Sequence, residues 1–374
     1  MALALRDRLR IALHRTLRRE YWPTVIQYLI LAPYLAWLGL RHGPMTFTCC
    51  NPGISGGGGM IGESKKAILD SLMFAGGRAL PGVLIEAGPS PIDRARTALE
   101  AIGARSELGG FPIILKPDAG QRGFAVKIAR TPADVERYFA VVTSPVLVQR
   151  FHPGPHECGI AWTRRQELIG ADAARIAAAD RVGSIFSITR KDFPVITGDG
   201  RRAFERLILD HPRFHCQAAV FFERFADQLA RILADGETLR LAQSGNHCQG
   251  VLFRDGADLI TPALERAVDD IARRIEPPLD AGRFDLRYES EEALKHGEGF
   301  AIVELNGTAG ESTNIYDPQK SILWAYRTLA AQWRLLFELG AERRRLGARP
   351  MRARALLREI SEHYRDRTGS ALAD

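Results

Sequence analysis

An α+β fold is predicted for this 374-residue chain by three stretches of its sequence. The first, residues 282–311, reads as two strands joined by a polar connection that contains glycine. In it Arg283, Asp285 and Arg287 alternate with Phe284, Leu286 and Tyr288, and Ile302, Glu304 and Asn306 alternate with Ala301, Val303 and Leu305. Side chains two apart share a face of a strand. An antiparallel pair therefore brings Asp285, Glu304 and Asn306 together, with Arg283 beside them. Two carboxylates and an amide oxygen form a hard-oxygen set suited to magnesium; a hairpin with a merely solvated polar face accounts for the same residues. The second stretch, residues 111–120, is an apolar strand ending in Lys116. The third, residues 145–162, is a buried strand, a turn rich in Pro and Gly, and another strand. Amphipathic helices separate these segments.

The length suits two or three domains. The net charge of +7 sits largely on arginines near the two ends, among them Arg6, Arg8, Arg10, Arg15, Arg18 and Arg19, then Arg343, Arg344 and Arg345. Such ends attract nucleic acid, anionic lipid or an acidic partner. The charge-balanced middle carries no zinc knuckle or aromatic–basic RNA motif, which argues against nucleic acid. Five cysteines without a CxxC pair fit a reducing cytoplasm. Cys49 and Cys50 read as small buried residues rather than a redox or metal pair.

In order along the chain, residues 1–20 place Leu, Ile and Ala between arginines at helical spacing, predicting a basic amphipathic helix. Residues 21–42 are apolar, hold Trp22, Tyr28, Tyr34 and Trp37, and are interrupted by Gln27 and Pro33. They barely reach bilayer length. No small-residue cleavage site follows, which argues against a signal peptide. The segment suits a helix at a membrane interface, a helix docked on the protein's own core, or a transmembrane span; its aromatics and the preceding basic helix favour the interface. A strand is expected over residues 44–50, then a glycine-dominated loop, then a helix from Glu63. The loop lacks the spacing of a P-loop or a dinucleotide fingerprint. It reads as a substrate-facing loop carrying Asn51, Glu63, Ser64 and Lys65, or as glycines permitting a tight crossing. A further strand and helix follow over residues 79–103.

Lys116 stands among Ile114, Leu115 and Pro117, where an ammonium is costly without an anion to pair with. A nucleotide phosphate would serve, and Gly120 and Gly123 let the next loop approach it closely. Thr131 caps the following helix. Residues 149–151 and Glu157 flank the Pro/Gly turn, where a linker between two lobes could grip an adenosine. Residues 187–200 end in a turn that makes Asp199 structural. Two surface helices come next, then a strand pair over residues 241–256 in which His247 reads as solvated or structural. A helix precedes residue 282; after residue 313 an apolar-striped helix packs behind the site, and a basic helical tail follows.

Taken in order, the strand-Lys-Pro of residues 113–117, GQRG at 120–123, QRF at 149–151, GPHE at 154–157, GRFDLR at 282–287 and VELNG at 303–307 resemble the ATP-grasp superfamily. Their spacing resembles its D-alanine–D-alanine ligase-like branch, over residues 111–320. The resemblance implies an ATP-grasp fold, in which two α+β lobes clasp ATP. The expected order is N-terminal helices at 1–43, a shortened α/β region at 44–110, a small lid lobe at 111–190, a catalytic lobe at 191–330 and a basic tail at 331–374. It implies Lys116 on the α- and β-phosphates, with Gly120, Gln121, Arg122 and Gly123 as a lid. Gln149, Arg150 and Phe151 would line the adenine, Glu157 would hold the ribose hydroxyls, and Lys191 or Arg190 would add a further phosphate contact. Asp285, Glu304 and Asn306 would hold magnesium, or manganese in its place, and Arg283 would face the charge developing at the reacting carboxyl. The loop of Glu311, Ser312 and Thr313 lies where this branch reads a substrate carboxylate or amine.

The implied activity is ATP-dependent joining of a carboxylate to an amine or thiol through an acyl phosphate. The expected substrates are small-molecule or lipid-linked, and the expected setting is the cytoplasm, at the membrane face through residues 1–42. A kinase stopping at a hydroxyl and a nucleotide-binding module without catalysis are the alternatives. Residues that would define a D-alanine pocket are not apparent, and the oligomeric state stays open, a homodimer included.

Overall fold

The computed structural model describes residues 4–74, 78–119, 125–171, 174–175 and 179–365. Its helices are α1 (Leu5–Leu17), α2 (Thr24–His42), α3 (Lys65–Phe74), α4 (Pro91–Ala104), α5 (Pro132–Phe139), α6 (Phe204–Asp210), α7 (Ala218–Arg224), α8 (Pro262–Ala272), α9 (Glu291–Lys295), α10 (Ile322–Arg345) and α11 (Ala353–Arg365). Its strands are β1 (Gly82–Ile85), β2 (Ile113–Pro117), β3 (Lys127–Ala129), β4 (Val146–Arg150), β5 (His156–Arg164), β6 (Gly183–Asp192), β7 (Val195–Thr197), β8 (Thr238–Arg240), β9 (Leu252–Asp255), β10 (Ala281–Tyr288) and β11 (Phe300–Asn306). The class is α+β, as the sequence predicts. The larger sheet runs β11-β10-β5-β6-β9, the smaller β1-β4-β2-β3, and β7 pairs with β8 apart from both.

Side-chain alternation sorts the faces of the larger sheet. Ile160, Trp162, Phe284, Leu286 and Tyr288 enter a core shared with α3 and α8. Glu157, Lys191, Arg283, Asp285 and Arg287 line a cleft on the other face. The smaller sheet packs Ile113, Leu115, Val146 and Val148 under α4 and α5. Helix α5 starts at a capping box: Asp134 N donates to Thr131 Oγ1 at 3.3 Å, and Thr131 N donates to Asp134 Oδ2 at 2.9 Å.

A third core joins α2 to α10 through Leu31, Leu38, Leu329, Trp333, Leu336 and Phe337. Of the three readings of residues 21–42, docking on the protein's own core is the one with contacts in the structure. The opposite side of α2 turns Val25, Ile26, Leu29, Ile30 and Leu40 outward. Among the described residues α2 is the one helix long and apolar enough to cross a membrane, by length and composition.

Several local expectations are corrected. Residues 44–50 form no strand: Met45 is left-handed at φ 61° and a 3-10 turn covers Thr46–Cys49. Thr46, Thr48, Cys49 and Cys50 are buried there under α10. A Cβ at Gly340 would lie 2.2 Å from the Thr46 carbonyl oxygen, so only glycine admits that approach. Residues 44–110 form no sheet of their own, because β1 pairs with β4 as an edge of the smaller sheet. Residues 241–256 form no strand pair either; β9 alone lies within them and pairs with β6. The helices α6 and α7 are not merely superficial, since Phe204, Ile208 and Phe221 are fully buried between them and their neighbours.

Asp280, fully buried just before β10, ties these parts together. It takes Arg343 Nε and Nη2, each at 2.8 Å, Arg164 Nη2 at 3.2 Å and Asn51 N at 3.1 Å. Removing one member of a buried ion network strands the others, at a cost of about 3 kcal/mol or more. Asp280→Ala should lower unfolding stability by about that much in urea titration, without changing the residues of the cleft.

Candidate active site

Asp285 lies opposite Glu304 and Arg283 opposite Asn306, but Leu286 lies opposite Ile302, so Val303 bulges from the ladder. A bulge inserts one residue, leaves it unpaired and offsets the alternation beyond it. Ile302, expected on the face of Glu304, is therefore buried in the core with Leu286. Glu304 and Asn306 line the cleft with Asp285, as the sequence predicts. The Val303 carbonyl accepts from Lys116 Nζ at 3.3 Å and from Gln149 Nε2 at 3.2 Å. Through it β2 and β4 of the smaller sheet are joined to the larger.

Asp285 is the electrostatic centre. Its Oδ1 accepts from Lys191 Nζ at 2.9 Å and Arg283 Nε at 3.3 Å, and its Oδ2 from Asn306 Nδ2 at 3.1 Å and Arg283 Nη2 at 3.2 Å. Burial favours the neutral acid, but Arg283 and Lys191 outweigh it and hold the carboxyl at about 2. Lys191 also donates to Glu157 Oε1 at 2.7 Å, and Glu157 Oε2 lies 3.0 Å from Arg287 Nε. Burial opposes the Lys191 charge, yet Asp285 and Glu157 raise its pKa. Arg190 occupies the alternate face, where it pairs with Asp258 at 2.9 Å and Glu291 at 2.8 Å. Strand alternation thus puts Lys191, and not Arg190, in the cleft. Lys116 is 3% exposed, and burial lowers its pKa against the pull of Glu304. An anion arriving beside it would raise that pKa again.

Glu304 has Lys65 at 3.8 Å. Glu63 stands near; burial raises its pKa, with Glu304 adding to the rise, and its Oε2 is buried without a hydrogen-bond partner among the described residues. Hard oxygens from Asp285, Glu304 and Asn306, next to a carboxylate with an orphaned oxygen, fit a divalent cation of the magnesium kind.

Other expectations resolve unevenly. Gly120, Gln121, Arg122 and Gly123 lie outside the described residues. Arg150 and Phe151 line the cleft, but the Gln149 side chain is a brace, donating to the Leu80 carbonyl at 3.1 Å as well as to Val303. Asn51 faces no substrate: it is 1% exposed, and its side chain accepts from Asp280 N at 2.8 Å and donates to the Ala281 carbonyl at 2.8 Å. Ser64 accepts from Ala67 N at 3.1 Å near the start of α3. The glycine run is a tight crossing. Gly56–Gly59 have φ between 64° and 80°, and the carbonyls of Gly58 and Gly59 accept from Thr308 N and Ala309 N at 2.9 and 3.0 Å. It shapes the loop after β11. Asp199 is structural as expected, accepting from the amides of Arg201 and Arg202. His247 is bound to Glu20 at 3.1 Å.

Two residues escaped sequence reasoning as site members. Tyr28 of α2 and Tyr316 donate to the Glu311 carboxylate at 2.9 and 2.8 Å. Tyr28 reads from sequence as an interfacial aromatic, and nothing local links it to a residue 283 positions away. One cavity of about 970 Å³ is lined by Lys116, Lys191, Asp285, Glu304, Tyr28 and Glu311 together.

No family model matches the chain, and no curated protein does. Solved structures with some likeness include a bifunctional glutathione synthetase from Pasteurella multocida, at 14% identity over 70% of this chain and TM-score 0.32. This chain spans only 36% of that one. A D-cycloserine synthetase matches at 15% identity over 72% of this chain and 70% of its own, TM-score 0.37. The ADP complex of an N5-carboxyaminoimidazole ribonucleotide synthetase matches at 12% identity over 68% and 46%, TM-score 0.34.

Lys191→Met leaves Glu157 and Asp285 short of their shared cation and should cost about 3 kcal/mol in urea unfolding. Arg190→Met breaks two partly exposed pairs, with Asp258 and Glu291, and should cost about 1 kcal/mol.

Proposed function

We propose that this protein is an ATP-dependent ligase of the ATP-grasp type, joining a carboxylate to an amine through an acyl phosphate. One observation carries the reading: two buried lysines, Lys116 of β2 and Lys191 of β6, line one cleft with Asp285, Glu304, Asn306 and Arg283. Ammonium groups that have lost their water and stand beside hard-oxygen donors suit a metal-bound polyphosphate better than a neutral ligand. Motif order and spacing side with the D-alanine–D-alanine ligase-like branch.

In this reading Arg150 and Phe151 border the base, Glu157 takes ribose hydroxyls, and Lys116 and Lys191 hold the phosphates. A divalent cation held by Asp285, Glu304 and Asn306, magnesium before manganese, would supply charge neutralisation among the phosphate oxygens. A substrate carboxylate oxygen attacks the γ-phosphorus, the bond to the bridging oxygen breaks, and ADP leaves. The amine then attacks the acyl carbon, phosphate leaves and the nitrogen loses a proton. Arg283 balances the oxyanion formed on the way. Phosphoryl transfer depends on positioning and electrostatics, so no nucleophilic serine or cysteine is required. We place the reaction in the cytoplasm, with the outward apolar side of α2 against the membrane face.

ADP release with Mg-ATP and a panel of carboxylate–amine pairs tests the reading, with Glu304→Gln alongside. The pair that stimulates release should lose at least about a hundredfold in rate in the variant, the range seen when one charge-stabilising group is removed. EDTA should abolish release. Full activity of a folded Glu304→Gln protein would refute the metal assignment.

A further inference from the structure

We infer that the carboxylate substrate is an acid with a long apolar tail, an inference that rests on the ligase reading above. The cavity does not end at the charged groups. Past Arg283, whose Nη1 donates to the Glu311 carbonyl at 2.9 Å, it continues between α2, α10 and α11 into the third core. Its walls there are Leu35, Met60, Trp333, Leu336, Leu356 and Ile360, none of them ionisable. Trp333 and Leu336, 8% and 2% exposed, are its buried walls, and Leu35, Met60, Leu356 and Ile360 are half-buried. Phe47 and Tyr28 meet the Trp333 ring edge-on at 5.1 and 6.1 Å, which stiffens the wall.

The neck offers a ligand little polar recognition. Glu311 is engaged by Tyr28 and Tyr316, and Gln332 accepts from Ser312 N at 3.0 Å and donates to the Gly310 carbonyl at 2.9 Å. An apolar arm holds water poorly and gains contacts when an apolar group fills it. The side of the neck decides which substrate enters. The arm opens beside both Arg283 and the Glu311 carboxylate. Tyr28 and Tyr316 already donate to the two Glu311 oxygens, whereas Arg283 gives three of its five N–H groups to Asp285 and the Glu311 carbonyl and can take a carboxylate with the others. A carboxyl head at Arg283 with its tail in the arm satisfies both ends.

The test measures hydroxamate formed from ATP and hydroxylamine, which accepts the acyl group whatever the natural amine is. Straight-chain acids from acetate to palmitate are compared with succinate and glutamate. Binding of a dansyl-labelled undecanoic acid is followed in parallel. The rate constant kcat/KM should rise about fourfold per added methylene until the arm is full, as burial of one CH₂ gives. Leu356→Trp and, separately, Ile360→Trp should lower the ratio of long-acid to short-acid kcat/KM by about tenfold. Hydroxamate from polar acids with no rise along the series overturns the apolar-tail assignment and leaves the ligase reading standing. Tight binding of the dansyl acid, weakened in both variants, with no hydroxamate from any acid supports the arm and overturns the ligase reading. Neither binding nor hydroxamate overturns both.

Discussion

The register of β10 against β11 turns on the unpaired Val303, and the cleft depends on it. With a regular ladder, the face that carries Glu304 and Asn306 would also carry Ile302, and an apolar side chain would stand among the charges. The bulge sends Ile302 into the core and keeps the two polar residues in the cleft. It also gives Lys116 and Gln149 a carbonyl to bind, so one irregularity both sorts the face and joins the two sheets.

The same segment carries two buried aspartates with contrasting partners. Asp280 is enclosed by Arg343, Arg164 and the Asn51 amide, partners held by α10, β5 and a tight left-handed turn. Asp285 is neutralised by Arg283 and by Lys191, a flexible side chain shared with Glu157. Desolvated charges persist only when paired, and the difference lies in whether the partners can be exchanged. Rigid partners make Asp280 a joint. The Lys191 ammonium, held between Glu157 and Asp285, can turn toward either carboxylate while Arg287 and Arg283 remain beside the other.

Helices α2 and α11, far apart in the chain, line the cavity together. Helix α2 closes one side of the third core and supplies Tyr28 to Glu311, while α11 brings Leu356 and Ile360 over the same arm. A terminal segment that reads as a membrane element thus also forms a wall of the cavity.

The polar set around β10 and β11 was legible because strand alternation is a local property: Arg283, Asp285, Glu304 and Asn306 needed only a period of two and an antiparallel partner. Lys116 was legible for a similar reason, as a charge stranded in an apolar strand. The choice of Lys191 over Arg190 was not, since both lie in one strand and only the burial of one face distinguishes them. Asn51 and the glycine run misled because a left-handed turn serves a substrate or another backbone equally well, and the backbone it serves lies about Asp280 and Thr308, far along the chain. Residues 44–50 have the composition of a strand but lie beneath α10, where no sheet edge is at hand. Local periodicity and the charge of single residues determined the α+β class and most of the polar cleft. Tertiary structure alone decided the bulge, the bracing of Gln149 and the apolar arm, because each depends on contacts between segments that no local pattern connects.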